Sequence, residues 1–372
     1  MNTENEPFPS NALKMSVALW SVAGLFLLIL YYAVPQLWKG IERFEPGPDY
    51  RIPYSLSEDY WLYSRYAGMV AERDAIPVVG DSVVWGQYVV ENETLTHFLN
   101  AELGSARCVN MGVNGTHPAA LAGLIKHYAQ PLKDRRVVVH LNPLWMSSKR
   151  HDLRDERARR FNHPRLVPQF YPRIPSYEAT FAERIGTVVD RESGLLSWTA
   201  HLRIAYYGNK NIPNWTFEHP YANPLLPMIL ELPKDGDTPP SEPIPWQQRD
   251  MGIQDFAWVP MEDSLQWGFF RESLNVLQDR GNEVFVILGP FNEHMLTATS
   301  LEIYKKLRED METWLRAQGV AYVAPQILPT ELYADASHPL RDGYALLARN
   351  LLDDPTFREF VTAPQAALSG SP

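Results

Sequence analysis

Pro77–Val89, PVVGDSVVWGQYV, sets an apolar strand pattern before Gly80-Asp81-Ser82 and a second glycine, Gly86, four residues past the serine. Some hydrolases expose a nucleophilic serine on a sharp turn after a strand. Gly-Asp-Ser is equally ordinary turn chemistry, so the tripeptide alone leaves both readings open.

The surroundings of this stretch alternate regularly. A strand over 76–81 is followed by a helix pattern over 92–103, and RCVNMGV (Arg107–Val113) reads as a second strand. Leu121, Leu124, Ile125, Tyr128 and Leu132 recur at helical spacing before RRVVVHLN (Arg135–Asn142), a third strand. The alternation resumes with a helix over 263–279 and the strand EVFVILGPF (Glu283–Phe291). A helix carrying Leu301, Tyr304, Leu307, Met311, Trp314 and Leu315 stops at Gly319; VAYVAP is a fifth strand, and a last helix covers 340–352. Strands interleaved with helices predict a parallel sheet, here a five-stranded, flavodoxin-like three-layer α/β/α sandwich.

With 372 residues, 45% apolar and 21% charged, the chain has enough apolar material for a full core. Its net charge of −10 lacks the basic footprint of a nucleic-acid binder, so no nucleic-acid partner is expected. The single Cys108 excludes an internal disulfide and a multi-cysteine zinc site, and it reads as a small core residue.

Met15 to Trp38 contains no charged residue. At 1.5 Å per residue, about 20 residues cross the hydrocarbon, so residues 15–38 are expected to anchor the chain in a membrane. Trp20, Tyr31, Tyr32 and Trp38 are candidate interfacial aromatics. A cleaved signal peptide is the rival, but the run exceeds a usual h-region and no Ala-x-Ala site follows. Lys39, Arg43 and Arg51 after the span, against Lys14 before it, favour a cytoplasmic domain. A lone N-terminal anchor on a folded domain is commonly an export device, and the expectation is a single-pass inner-membrane protein with a periplasmic domain.

The expected organisation is an N-terminal tail (1–14), the anchor (15–38), a Pro- and Tyr-rich linker and lead-in segment (39–75), an α/β domain in two pieces (76–143 and 263–355), an insertion (144–262) and a flexible tail (356–372). A structureless loop as long as 144–262 is implausible in a compact domain, so the insertion is expected to carry short elements. Its basic start, SSKRHDLRDERARRFNHPR, reads as a solvated helix face with charges of both signs, with a site for anionic glycan or lipid headgroups as the alternative.

Ligands of an open parallel sheet bind at the carboxyl ends of its strands. Those ends bring Ser82, then Gly112, Asn114 and Gly115, then Asn142, while the last crossover, YADASHP, adds Asp335 and His338. A serine needs a base to take its proton, and a histidine oriented by a carboxylate is the usual one. The Ser82 and Gly115 N–H groups and the Asn142 amide are candidate oxyanion donors, each worth roughly 3 kcal/mol in a transition state. Asn292 and His294, after the fourth strand, are candidate substrate contacts. His140, in a buried-strand pattern, reads as a satisfied core histidine. Asp81 reads as a structural hydrogen-bonding group of the turn. No His/Asp/Glu set has metal-ligand spacing, so neither metal nor cofactor is expected.

These blocks resemble the SGNH/GDSL hydrolases: Gly80-Asp81-Ser82 with Gly86, then NMGVNG with Gly115, and finally Asp335-x-x-His338. Asn142 fits the family's asparagine position, although the usual Gly-x-Asn-Asp is here His140-Leu141-Asn142-Pro143. The resemblance covers about 76–143 and 282–352. It implies a Ser82 nucleophile, His338 as base and acid, and Asp335 orienting it. For an anchored member it implies an esterase or O-acyltransferase working on O-acyl groups, especially O-acetyl, of a cell-envelope polysaccharide, beside a membrane-bound O-acyltransferase partner. Lipid or thioester hydrolysis by the same fold is an alternative, as is a non-catalytic subunit of an acyltransferase complex. Trp198, Trp215, Trp246, Trp258 and Trp267 are candidate sugar-stacking surfaces, or equally core packing.

Overall fold

The computed structural model describes residues 16–157, 160–236 and 238–364. In chain order the elements begin with α1 (Val17–Ile41), α2 (Tyr60–Ala71), β1 (Ile76–Gly80), α3 (Ser82–Trp85), α4 (Leu95–Leu103), β2 (Cys108–Gly112), α5 (Pro118–Tyr128) and β3 (Arg136–Leu141). There follow α6 (Phe181–Glu192), α7 (Gly194–Tyr207), α8 (Ile212–Glu218), α9 (Leu265–Gln278), β4 (Glu283–Leu288), α10 (Ala298–Ala317), β5 (Ala321–Val323), α11 (Arg341–Asp353) and α12 (Pro355–Thr362).

The strands form one parallel sheet in the order β2-β1-β3-β4-β5. Their near-continuous apolar runs follow from burial on both faces. Alternation along each strand splits the core in two. Val79, Val139 and Val286 pack with α2, α5 and α9, while Val78, Val138 and Ile287 pack with α4, α11 and α12. The expected three-layer α/β/α sandwich is therefore present. Gly80 pairs with Gly112 and Leu141 with Leu288, so the strand ends share one edge. The strand order reverses between β1 and β3, which opens a crevice where Ser82 and Asn142 follow adjacent strands.

Residues 39–75 are not the expected linker. They contain α2, whose Leu62, Tyr63, Tyr66, Ala67 and Val70 are buried in the core, and the fully buried Arg51. Nor is 356–372 uniformly a tail, because α12 buries Phe357, Phe360 and Val361. Residues 1–14, Met15 and 365–372 lie outside the described residues.

α1 is long and apolar enough to cross a bilayer, a profile shared by single-pass anchors and signal sequences. Of its aromatics, Tyr31 and Trp38 are docking groups. The Tyr31 hydroxyl donates to Ser193 Oγ (2.6 Å), and Trp38 packs edge-on against Trp198. Beyond the helix, Glu42 accepts from His201 Nε2 (2.8 Å) and from Arg65 Nη1 (2.5 Å).

Candidate active site

The sharp exit from β1 is built locally. Asp81 caps α3 by accepting the Val83 N–H (3.0 Å), and Ser82 is the helix's first residue. Two glycines at the adjoining strand end leave room for close approaches, Gly112 for the backbone of this turn and Gly115 for a neighbouring side chain. A Cβ on Gly112 would lie 2.5 Å from the Trp85 nitrogen, and Gly115 holds a left-handed φ of +72° with a Cβ position 2.5 Å from Asn162 Nδ2.

The Asp335–His338 loop arrives from the other end of the chain. Asp335 Oδ1 accepts the N–H groups of Ser337 (2.9 Å) and His338 (3.0 Å), so the loop fixes its own carboxylate. His338 Nδ1 lies 2.8 Å from each Asp335 oxygen, and Nε2 lies 2.8 Å from Ser82 Oγ. The partners assign the tautomer: the proton sits on Nδ1, facing the carboxylate, and Nε2 is left to accept from the serine. Burial alone would push His338 down, but Asp335 outweighs it and raises the imidazole above its ordinary value. Burial would likewise raise Asp335; the imidazole and the two N–H donors hold it near the bottom of the carboxylate range.

A second buried network stabilises the serine turn from below. Asp81 Oδ2 accepts from Asn142 Nδ2 (2.8 Å) and Trp145 Nε1 (2.9 Å). Burial opposes ionisation of Asp81, yet the adjacent His140, with His338 and the Asn142 amide, keeps its carboxyl well below the usual range. His140 is buried as expected, but it is not satisfied. Its Nδ1 approaches Asp81 Oδ1 at 3.1 Å without hydrogen-bond alignment, and its Nε2 has no partner among the described residues. Asn142 is thus committed to Asp81, and its second amide hydrogen makes only a 3.3 Å contact with Ser337 Oγ.

The remaining sequence candidates divide. The Asn114 carbonyl accepts from His163 Nε2 (2.7 Å), while its side-chain oxygen is buried without a partner among the described residues. Asn292 braces the Asp335–His338 loop: its N–H donates to the Ala336 carbonyl (2.8 Å) and its Nδ2 to the Asp335 carbonyl (3.1 Å). His294 is exposed and pairs with the Leu328 carbonyl (3.0 Å) rather than with the triad. The five tryptophans all engage aromatic neighbours or the core: Trp246 and Trp267 are buried, Trp258 packs on Phe291, Trp198 on Trp38 and Trp215 on His219. Cys108 is a buried core residue, and burial pushes its thiol up to about 12.

Sequence reasoning missed Tyr88 and Arg51. The Tyr88 hydroxyl donates to Asp335 Oδ2 (3.0 Å), and its ring meets His338 edge-on. Arg51 donates to the carbonyls of Trp85 (2.9 Å), Gly86 (2.5 Å) and Val89 (3.0 Å), pairs with Asp235 (2.5 Å), and lies over the Trp85 ring. It therefore clamps the carbonyl end of the short helix that begins with Ser82. No motif signals such a contact from the lead-in segment.

Ser82 and His338 are each 6% exposed, so the serine hydroxyl sits in a narrow opening. A surface cleft lies elsewhere, between residues 43–50 and 231–235. A smaller one, lined by Tyr54, Ser55, Asn114, Asn162 and His163, adjoins Gly115. Compared with known protein families and with curated proteins, the chain matches none.

Proposed function

We propose that this chain is a membrane-anchored serine esterase or acyltransferase of the SGNH type that handles O-acyl groups, chiefly O-acetyl, of a cell-envelope glycan. The observation that carries the reading is the hydrogen-bonded line from Ser82 Oγ through His338 to Asp335. Ser82 Oγ attacks the acyl carbonyl as His338 Nε2 takes its proton. The tetrahedral intermediate collapses with protonation of the departing oxygen by His338, leaving acyl-Ser82. Water or an acceptor hydroxyl then gives its proton to His338 and takes the acyl group, which makes the enzyme a hydrolase or a transferase. The Ser82 and Gly115 N–H groups serve the oxyanion. The Asn142 amide hydrogen on the long Ser337 contact is the third donor available.

The anchor reading of α1 is supported by its last turns, which are built into the domain through Tyr31–Ser193 and Glu42–His201. Cleavage of a signal peptide after the apolar run would remove the Tyr31 and Trp38 contacts. An anchored domain on the periplasmic side would work beside membrane-borne acyl donors and a membrane-bound O-acyltransferase. The test is turnover by the full chain of a simple acetyl ester, an acetylated glycan and an acyl-lipid. Release of acetate by wild type and its loss in Ser82→Ala is the expected result. Equal turnover in both would overturn the nucleophile assignment, and a preference for acyl-lipid would overturn the glycan assignment.

A further inference from the structure

We propose that α6 lies in the plane of the membrane surface, with its apolar face against the lipid that α1 enters. The inference rests on the anchor reading of α1. Three observations carry it.

The first is depth. From Val17 to Leu37 there is no charged residue, and 20 helical steps cover about 30 Å, the thickness of the hydrocarbon layer. Tyr31 stands about 21 Å along, short of the far boundary by roughly 9 Å. Yet Tyr31 bonds Ser193, the residue between α6 and α7. α7 then runs beside α1 in the same direction, since Trp198 meets Trp38 and His201 meets Glu42. Along α7 the contacts with α1 therefore run back toward the bilayer, and the α6–α7 corner meets α1 within its uncharged run, close to the membrane boundary.

The second is the face itself. None of the α6 residues is buried. Phe181, Ile185 and Val189, four residues apart on one side, are 73%, 42% and 51% exposed. Phe170, packed on Phe181, and the nearly bare Tyr171 extend the patch. The third is the opposite side. Arg184 is held by the Tyr177 and Ala179 carbonyls, and Asp190 pairs with Arg165, so these charges are tied to the domain. A surface helix with one bare apolar stripe, continuous with a membrane entry point, has the chemistry of an interfacial helix. Lipid is the occupant because the bilayer adjoins this corner through α1 itself.

The experiment places an environment-sensitive fluorophore on single cysteines of the full chain in phosphatidylcholine/phosphatidylglycerol vesicles containing nitroxide-labelled lipid. Cys108 is buried and stays unlabelled. Positions are Ile185→Cys and Val189→Cys on α6, Leu25→Cys on α1, and the exposed Lys305→Cys on α10 as the aqueous reference. Quenching at 185 and 189 several-fold above that at 305, with blue-shifted emission, is the expected result. Quenching at 25 but not at 185 or 189 overturns the interfacial helix and leaves the anchor standing. Absence of quenching at 25 overturns the anchor reading, and this inference with it.

Discussion

Replacing His201 by glutamine removes the positive charge that joins two buried carboxylates at the root of α1. His201 Nδ1 lies 2.7 Å from Asp59 Oδ2 and Nε2 lies 2.8 Å from Glu42 Oε1, with all three side chains out of contact with water. Burial alone would lower the imidazole, but Asp59 and Glu42 outweigh it and raise it to about 9. Against an ordinary value near 6.5, that shift corresponds to about 3 kcal/mol of folding stability. Because the folded value is the raised one, the contribution is complete below pH ~6.5 and is lost as pH climbs through about 9. The assay is denaturant unfolding of the full chain in detergent at pH 6.5 and 9.5. Wild type should lose most of this increment between the two, whereas His201→Gln should be destabilised by roughly 3 kcal/mol at the lower pH and lack the pH-dependent loss. A variant within about 0.5 kcal/mol of wild type at pH 6.5 would refute the reasoning, because a surface substitution typically costs no more than that.

Asp335→Asn should leave the fold intact and lower turnover by about 10³–10⁴-fold, measured as kcat on an acetyl ester, because it disfavours the Nδ1–H tautomer of His338. The base must be neutral to act. Wild-type turnover should therefore rise with pH through a midpoint above the ordinary histidine value, and the midpoint should move down in the variant, read from the pH–rate profile. Arg51→Met preserves bulk but strips three carbonyls and Asp235 of their donor, and should cost about 3 kcal/mol or more by thermal or denaturant unfolding. Turnover should fall with it, as the end of α3 is released.

The alternating elements from β1 to α11 were legible because parallel strands are short apolar runs and the helices between them carry one-sided periodicity. α2 was not, because it is covered nearly all round: Tyr60, Trp61, Leu62, Tyr63, Tyr66, Ala67 and Val70 are buried, which erases the polar face a helix is recognised by. Its Pro- and Tyr-rich approach looked like a linker for the same reason that Arg51 went unnoticed, since nothing local reveals that the segment folds back on α3. Asp335 and His338 were readable because three-residue spacing and the turn put them together locally, and Ser82 because it follows a strand. The commitment of Asn142 to Asp81 depends on where β1 and β3 lie side by side, and the Tyr88 bond to Asp335 spans 247 residues. Neither separation leaves a mark in the one-dimensional pattern.

The central claim is that Ser82 is a nucleophile activated by His338. Incubating the full chain with a fluorophosphonate and mapping the adduct by mass spectrometry tests it most directly. The account predicts modification of Ser82 in wild type, none in Ser82→Ala, and strongly slowed modification in His338→Ala. A wild-type protein that forms no adduct, or one that carries it on another serine and keeps it in Ser82→Ala, would contradict it.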